Sequence, residues 1–424
     1  MRTAFEQAWA ALGGGQRPEV EVVDAPVLPG ALPTADLALA TVAACACAAA
    51  ELAVARGGPP VPVVRVDAAR VATAFTSERH LRRGTEAFTG FAPESAFFAA
   101  SDGWVRTHAN YPHHRDRLTS VVGADVAAGI ARRTAIEVEE DVLAAGGLAF
   151  AVRPAGQWPA GDVPLIARRP VPGPHQPLPT PHDGRPSDGV RVLDLTRVIA
   201  GPVATRALAL LGADVLRVDS PRLPEIEGQH LDTGLGKRTT LLDLDRAADR
   251  ATFEELLSGA DVVITGYRPG ALDRFGLTPD ALLERRPGLI VGRLAAWTGG
   301  WSGRRGFDSL VQAATGIALR EGHDDRPGAL PAQALDHGSG YLLAAAVLRA
   351  LARRHTDGHG AVLELALART AEWLLALPAR EHVAGRAPEP TTVELGGLTV
   401  ARPAFGDLEW PAPPRPWGRD AAAW

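Results

Sequence analysis

Cysteine, methionine and lysine are almost missing from this chain of 424 residues, which has 2 Cys, 1 Met and a single lysine, Lys237. The two cysteines, Cys45 and Cys47, stand one residue apart. Two thiols cannot build a framework of several disulfides, nor supply the ligands of a cysteine-based zinc site. The scarcity points to a protein of a reducing compartment, in which arginine supplies nearly all of the positive charge.

An excess of positive charge is missing as well. Lysine and arginine total 44 against 49 aspartates and glutamates, so the net charge is −5 and no basic tract is present. This balance argues against a binder of nucleic-acid backbones. We find no apolar run of about 20 residues for a membrane span, and the first fifteen residues do not resemble a signal peptide. We therefore expect a soluble cytoplasmic protein with small-molecule partners and neither nucleic acid nor membrane.

Several motifs of nucleotide and ester chemistry are also absent. The turn at residues 196–202 (TRVIAGP) lacks the G-x-G-x-x-G pattern, which disfavours NAD or FAD, although it can still offer backbone N–H groups at a helix N-terminus. The G-K-R at residues 236–238 lacks the other residues of a P-loop, and no G-x-S-x-G is present.

Proline, by contrast, is concentrated in one place. Residues 154–186 contain ten prolines, in a stretch that reads PVPGPHQPLPTPHDGRPSDG towards its end. Such a run is typical of an extended linker or surface strap. It divides the chain into residues 1–165, a linker at residues 166–187, and residues 188–424.

The C-terminal part alternates between strand-like and helix-like segments. Apolar strands are predicted at residues 190–195, 213–218, 239–244, 261–267 and 289–294, with helices at residues 200–211 and 245–258. This rhythm predicts right-handed βαβ units and a Rossmann-like parallel sheet. Residues 97–165 read differently, with a hairpin, a helix at residues 135–145 and a strand at residues 148–152. They predict a small α+β domain.

One order of elements occurs twice. Asp36 precedes an Ala-rich helix at residues 37–56 and a strand at residues 61–66, and Asp336 precedes a helix at residues 338–354 and a strand at residues 361–367. We interpret this as a degenerate internal repeat. The alternative is that any two Ala-rich helices followed by strands look alike.

Local chemistry alone leaves alternatives open. His108, His113 and His114 on a Pro-containing loop read better as a polar surface than as a metal site. Lys237 and Arg238 are either a solvated strand start or, with Arg274, Arg304 and Arg305, a lining for phosphates. Asp336 is either a helix N-cap or a nucleophilic carboxylate.

Taken together, the segments resemble the class III CoA-transferase family of the CaiB/BaiF type, which includes formyl-CoA transferase, carnitine CoA-transferase and an acyl-CoA racemase branch. The resemblance lies in VRVLDLTRVIAGPVATRALALLGADVLRVD (190–219), GKRTTLLDLD (236–245), DVVITGYRPGALDRFGL (261–277), GFDSLVQAATG (306–316) and LDHGSGYLLAAAVLRALARRHTDGHG (335–360). It implies an α/β fold with a Rossmann-like large domain and a small α+β domain. It also implies coenzyme A as a co-substrate, with no tightly bound cofactor and no metal.

By this resemblance, Asp336 is the nucleophile that carries CoA from an acyl-CoA thioester to a carboxylic acid as an aspartyl-CoA thioester, with Gly338 and Gly340 allowing close approach. The residues expected to bind CoA are Ile199, Ala200, Lys237, Arg238, Leu242, Asp243, Leu244, Gly266, Tyr267, Arg268, Arg274 and Arg305.

The chain also departs from the family pattern. Phe307 stands where the racemases carry a histidine, which disfavours racemisation; Ile199 replaces a polar residue, an arginine near Ser220 is missing, and we find no Gly-rich loop to cover the intermediate. Residues 36–165 resemble the second half of a family member and residues 188–424 the first. We therefore hypothesise a fusion of two degenerate copies, with one site at Asp336, a structural Asp36, and a homodimer or single-chain pseudo-dimer. A racemase or isomerase, an inactive CoA-ester binder and a scaffold that does not bind CoA stay as alternatives.

Overall fold

Short apolar segments between residues 191 and 366 form the largest sheet of the molecule, because their side chains are buried on both faces. The computed structural model describes residues 1–88, 90–406 and 408–424. Its strands are β1 (Glu19–Val23), β2 (Val63–Asp67), β3 (Arg82–Arg83), β4 (Glu86–Ala87), β5 (Phe97–Ala99), β6 (Trp104–Thr107), β7 (Ala149–Ala151), β8 (Ile166–Val171), β9 (Arg191–Leu195), β10 (Asp214–Asp219), β11 (Arg238–Leu241), β12 (Val262–Thr265), β13 (Ile290–Ala295), β14 (Gly360–Ala366), β15 (Thr392–Leu395) and β16 (Leu398–Ala401).

Helices connect these strands and cover the sheet. They are α1 (Arg2–Ala11), α2 (Thr34–Ala55), α3 (Ala68–Phe75), α4 (Ser77–His80), α5 (Pro112–Val122), α6 (Val126–Ala131), α7 (Ala135–Ala144), α8 (Ala200–Leu210), α9 (Glu227–Thr233), α10 (Ala247–Gly259), α11 (Pro279–Arg285), α12 (Asp308–Thr315), α13 (Ile317–Arg320), α14 (Ala334–Asp357) and α15 (Leu367–Ala376).

The large sheet has the order β11-β10-β9-β12-β13-β14-β8, and every pairing in it is parallel except that of β14 with β8. From β9 the chain winds outward to β10 and β11, then returns to the other side of β9 and adds β12, β13 and β14. The sheet therefore has a topological switch point between β9 and β12, where doubly wound folds bind ligands beyond the carboxyl ends of the strands. The predicted Rossmann-like layout is confirmed.

The structure differs from the predicted linker at its start. Residues 166–171 form β8, an antiparallel edge strand that pairs with β14. The strand contains Pro170, which an edge strand tolerates because only one of its sides must supply ladder hydrogen bonds. The proline-rich stretch therefore adds a strand to the large sheet before it crosses to β9.

The small α+β domain predicted for residues 97–165 is present as the sheet β5-β6-β7 packed against α5, α6 and α7. Thr134 and Glu137 form a capping box that fixes the start of α7. The strand β7 also contacts α12 of the large domain, so this small domain lies beside the sheet of the same chain.

Helix α2 corrects the sequence analysis. It is 22 residues long with a mean hydropathy of 2.0, so by length and composition it is apolar enough to cross a membrane, and the expectation of no such run is wrong. Most of this apolar segment, 78%, is buried inside the protein. The helix packs on α14 and α1, so its composition is that of a core helix here.

The two halves share one order of elements. The succession α2, β2, α3 near the N-terminus matches the succession α14, β14, α15 later in the chain. Strands from both halves also meet in one sheet, since β16 pairs with β3 through Thr399 and Arg82. This order agrees with the predicted repeat.

Candidate active-site cleft

A cleft of about 770 Å³ opens beyond the carboxyl ends of the parallel strands, at the topological switch point. Its walls come from the segments that follow β9, β10, β11, β12 and β13, from the first turn of α14, and from the small domain. Its volume lies in the range of small-molecule and cofactor sites. The predicted site residues that line it are Ala200, Leu242, Asp243, Leu244, Gly266, Tyr267, Arg268, Arg274, Arg305 and Asp336.

The turn after β9 brings backbone into the cleft under constraint. Val198 has a φ of 71°, a left-handed conformation that is rare for a β-branched residue. Its N–H donates a hydrogen bond to Glu225 Oε2 at 3.1 Å, which holds the turn in place. Ile199 is the N-cap of α8 and is buried, whereas its neighbours Val198 and Ala200 line the cleft. Of the two residues predicted at this turn, Ala200 therefore lines the cleft and Ile199 does not.

Asp336 lies in the first turn of α14, is buried, and lines the cleft. Its backbone N–H and that of Leu335 both donate to Asp308 Oδ2, at 3.0 and 2.9 Å. Gln312 donates to the other oxygen of the Asp308 carboxylate. Asp308 thus satisfies the unpaired N–H groups at the start of α14, and the side chain of Asp336 is left available to the cleft.

The environment of Asp336 disfavours its charged form. Burial, and then the negative charges of Asp308 and Glu78, raise the pKa of the Asp336 carboxyl well above its ordinary value. Burial likewise raises the pKa of Asp308, against the effect of the hydrogen bonds that it accepts. Glu78 is held 3.7 Å from Nε2 of the buried His337. Perturbed carboxyl groups in a cleft are typical of functional sites.

Two glycines of α14 have a different role from the predicted one. A Cβ atom on Gly340 would lie 2.6 Å from the carbonyl oxygen of Ala200, and one on Gly338 would lie 2.7 Å from Leu37 Cδ2. These glycines therefore allow α14 to pack closely on α8 and α2. The close contact fixes Asp336 beside the start of α8.

Arginines line the cleft in two groups. Arg222 pairs with Asp243 at 2.8 Å and with Asp245 at 2.7 Å, and Arg274 pairs with Asp245 at 3.1 Å. Arg222 follows Ser220 by two residues, so a cation is present close to where the family arginine is missing from the sequence.

The second group, Arg268 and Arg305, has no carboxylate partner among the described residues. Burial and the charge of Arg268 lower the pKa of Arg305. Two neighbouring guanidinium groups without a counter-ion are suited to bind an anion.

A buried ion network holds a further arginine at the cleft. Glu225 accepts from Arg217 at 3.0 Å and from Arg197 at 3.4 Å, and Tyr111 donates to the same carboxylate. Although burial acts to raise it, these cations lower the pKa of Glu225 to about 2. The guanidinium of Arg197 lies 5.3 Å from the ring centroid of Tyr111. This network connects the turn after β9 to the small domain, across the cleft.

Lys237 and Arg238 do not lie in the cleft, contrary to prediction. Lys237 is buried and donates to Asp194 at 3.1 Å, to Thr205 and to the carbonyl of Pro202. Burial lowers its pKa to about 8. Arg238 pairs with Asp214 at 2.8 Å. Both residues come at the amino end of β11, opposite to the edge where the cleft opens, and neither lines the cleft.

The small domain closes one wall with uncharged rings. The ring of Phe307 stacks on His108 with centroids 3.7 Å apart, and His114 lies edge-on to Phe307 at 5.9 Å. Burial and nearby positive charges lower the pKa of His108 and of His114 to about 3, so both are neutral at physiological pH. Within the described parts of the chain, no cluster of His, Cys, Asp or Glu has the arrangement of a metal site.

Asp36 has a different environment, although it occupies the first turn of α2 as Asp336 does that of α14. Its carboxylate forms an ion pair with Arg380, and Arg380 also pairs with Asp24 at 2.6 Å. Asp36 does not line the cleft described above. A carboxylate occupied in this way supports the predicted structural role.

Sequence reasoning missed several residues of the cleft, Tyr111, His114, Arg197 and Arg222, and also Glu225, which holds Arg197 from behind the cleft lining. Arg197 and Arg222 follow the ends of β9 and β10 directly, and this position could have identified them. The position of His114 depends on how the small domain packs, for which the sequence carries no local signal.

Comparison with known proteins gives the site a context. Residues 188–400 match the family described as CoA-transferase family III. The probable fatty acyl-CoA transferase Rv3272 of Mycobacterium tuberculosis is 35% identical over 209 residues, which cover 45% of this chain and 52% of that protein. Its orthorhombic crystal structure superposes with a TM-score of 0.44 at 36% identity, covering 45% of this chain and 56% of that one. The formyl-CoA:oxalate CoA-transferase of Streptomyces coelicolor is 31% identical over 193 residues, covering 42% and 47%. The chain spans about half the length of these curated relatives.

Proposed function

The chain belongs to CoA-transferase family III, and on this premise we propose that it transfers CoA between an acyl-CoA thioester and a carboxylic acid through Asp336. One observation carries the proposal. A buried carboxyl group in the first turn of α14 faces a cleft of about 770 Å³ at the carboxyl edge of the sheet, and arginines line the same cleft.

The reaction needs only the groups that the cleft offers. The Asp336 carboxylate attacks the thioester carbonyl, the C–S bond breaks, and the sulfur leaves as CoA thiolate with a mixed anhydride on Asp336. The thiolate then attacks the Asp336 carbonyl, releasing the first acid and forming an aspartyl-CoA thioester. An acceptor carboxylate repeats the two steps in reverse and regenerates the Asp336 carboxylate. Burial supports this role, because a poorly solvated carboxylate is a stronger nucleophile than a hydrated one.

The cleft also supports a division of labour in binding CoA. Arg274 is suited to its phosphates as a charge-assisted donor, and Arg268 and Arg305, which have no carboxylate partner among the described residues, are suited to a further anion. Residues 242–244 and 266–268 follow β11 and β12 at the rim of the cleft. Their backbone, with the side chains of Leu242 and Leu244, is suited to the adenine and pantetheine portions. The turn at Val198 and Ala200 lies nearest the start of α8, where the thioester would meet Asp336.

The names of two relatives point to different acyl groups. One is a probable fatty acyl-CoA transferase, and the other is a formyl-CoA:oxalate CoA-transferase. Walls from the sheet and from the small domain meet here within one chain. This supports a complete site in each chain, whether the protein is a single-chain pseudo-dimer or a homodimer. We also propose that the enzyme is soluble and cytoplasmic.

An exchange experiment tests the proposal. The protein is incubated with acetyl-CoA, then succinyl-CoA, each with its isotopically labelled free acid, and label in the thioester is followed by mass spectrometry. We expect label in the thioester with wild-type protein and a hydroxylamine-trappable enzyme ester, and neither with Asp336→Ala. Turnover that is unchanged in Asp336→Ala would remove Asp336 as the nucleophile.

A second candidate is a CoA-ester-binding homologue without turnover. It is favoured by the chain's span of about half the length of its curated relatives and by the charge-disfavouring environment of Asp336. Calorimetry with acetyl-CoA beside the exchange assay separates the two, since binding without exchange supports the inactive homologue. Phe307 at the position of the racemase histidine argues against α-proton transfer.

A further inference from the structure

A second cavity, of about 500 Å³, adjoins the cleft on the side of the small domain. It lies between α7 and the segment at residues 301–305. Arg268, Arg304 and Arg305 line both cavities, so these side chains form the boundary between them. We call this second cavity the side chamber.

The side chamber has an excess of positive charge at that boundary. Glu139, which is buried, pairs with Arg153 at 2.6 Å and with Arg304 at 3.1 Å, so these charges compensate one another. Arg268 and Arg305 have no such partner among the described residues, and Glu140 on the same helix is solvent-exposed. An anion at this end of the side chamber therefore has two guanidinium groups beside it, and both groups also line the cleft.

The boundary is built rigidly. Trp301 packs against Trp297, and the guanidinium groups of Arg304 and Arg153 lie 4.4 and 5.2 Å from its ring centroid. Trp297 is buried and donates its indole N–H to the carbonyl oxygen of Arg305 at 3.1 Å. The anchored backbone of Arg305, and the hydrogen bond that its guanidinium donates to the carbonyl oxygen of Gly146 at 3.2 Å, hold this arginine in place before a ligand arrives, which lowers the entropic cost of binding.

The rest of the chamber wall is partly apolar. Ile136 and Leu143 lie one above the other on α7, at positions that fall on the same helix face, and Ile136 is 44% exposed. Leu148 adds a buried apolar side chain at the base. The chamber thus combines a cationic end at the boundary with the cleft and apolar side chains on α7, where Glu139 and Glu140 also line the wall.

We infer that the side chamber holds the acceptor acid, and that this acceptor is an organic carboxylate with a hydrocarbon portion. Its carboxylate would lie at Arg268 and Arg305, and its hydrocarbon part against Ile136 and Leu143. Arg268 and Arg305 line the cleft as well as the side chamber, and Asp336 lines the same cleft, so the carboxylate end lies on the side of the reacting group. This inference rests on the proposed transferase function and names the substrate class for it.

Calorimetry on the full chain tests the inference with octanoate, acetate and CoA as separate probes. We expect octanoate to bind at least tenfold more tightly than acetate, because about two buried CH₂ groups suffice for that factor. Leu143→Trp places a larger ring in the chamber. It should lower the affinity for octanoate at least tenfold and leave the affinity for CoA within twofold. Unchanged CoA binding also shows that the variant is folded. Leu319→Trp, at an exposed position outside both cavities, is the matched control.

The outcomes separate the inference from the proposed function. Octanoate binding that is sensitive to Leu143→Trp, without CoA exchange to any acid, supports the side chamber and overturns the transferase. CoA exchange with octanoate and acetate at equal efficiency, unaffected by Leu143→Trp, overturns the side chamber alone. Octanoate that competes with CoA and is insensitive to Leu143→Trp binds in the cleft, and this also overturns the inference.

Discussion

The helices α2 and α14 have the same order of elements around them, but the aspartates in their first turns have different surroundings. Each carries an aspartate in its first turn, each leads to a parallel strand and a further helix, and the two pack against one another. Asp36 is paired with Arg380, whereas Asp336 has acidic neighbours and faces an open cleft. The comparison teaches that the position of the aspartate is not sufficient. What distinguishes a candidate nucleophile from a structural carboxylate is the charge around it and the space before it.

Exchanging each aspartate for asparagine should give the largest difference. Asp336→Asn removes the nucleophile, and we expect kcat for CoA exchange to fall by at least about a thousandfold. Asp36→Asn should keep kcat within about threefold of wild type, provided that the assay is run where the variant is folded. Equal losses in both variants, measured by steady-state kinetics with acetyl-CoA, would contradict the distinction.

The same two variants should change stability in opposite directions. Asp36→Asn breaks the part-buried pair with Arg380, which Asp24 compensates in part, and should cost about 1–3 kcal/mol. The pKa of Asp336 is raised, so above the ordinary aspartate pKa its ionisation favours the unfolded chain. Asp336→Asn should therefore raise the Tm at about pH 8 and have no such effect near pH 3, where the carboxyl is protonated in both states. Thermal scans at both pH values are the measurement, and a lower Tm for Asp336→Asn at pH 8 would count against the account.

The acidic neighbour of Asp336 offers a way to sharpen the comparison. Asp308→Asn keeps an oxygen that can accept from the N–H groups of Leu335 and Asp336, but removes the negative charge that helps to raise the pKa of Asp336. The rise of kcat/KM with pH should then move to lower pH, while a role for Asp308 in folding alone would leave its midpoint in place. A profile from about pH 5 to pH 8.5, with Asp232→Asn as a buried control outside the cleft, decides between these results.

The smallest effect concerns the arginines. Arg305→Ala should raise the KM for the acceptor acid about tenfold, because it removes one charge-assisted contact at the edge of the cleft. The loss should be smaller at high salt. Arg238→Ala, at the opposite edge of the sheet, should leave both KM values unchanged. A comparable rise in KM for Arg238→Ala would mean that ligand reaches the amino end of β11.

Cleft residues could be predicted from the sequence wherever they directly follow a parallel strand. Apolar runs predicted the strands β9 to β13, and residues that follow them, including residues 242–244 after β11 and residues 266–268 after β12, do line the cleft. Lys237 was misplaced for the same geometrical reason, since it precedes a parallel strand and therefore lies away from the ligand edge. His114 could not be predicted, because its place at the cleft comes from the packing of the small domain on Phe307. Helix α2 resembled no membrane span on inspection, yet its length and hydropathy meet that criterion, and only its burial identifies a core helix.

Mapping of the covalent intermediate tests the central claim most directly. The protein is mixed with acetyl-CoA, quenched in acid, digested and searched by mass spectrometry for CoA attached to peptides that contain Asp336 or Asp36. The account predicts CoA on Asp336, abolished by Asp336→Asn and unaffected by Asp36→Asn. CoA on Asp36, or full exchange activity with no adduct at Asp336 and no loss in Asp336→Asn, would contradict it.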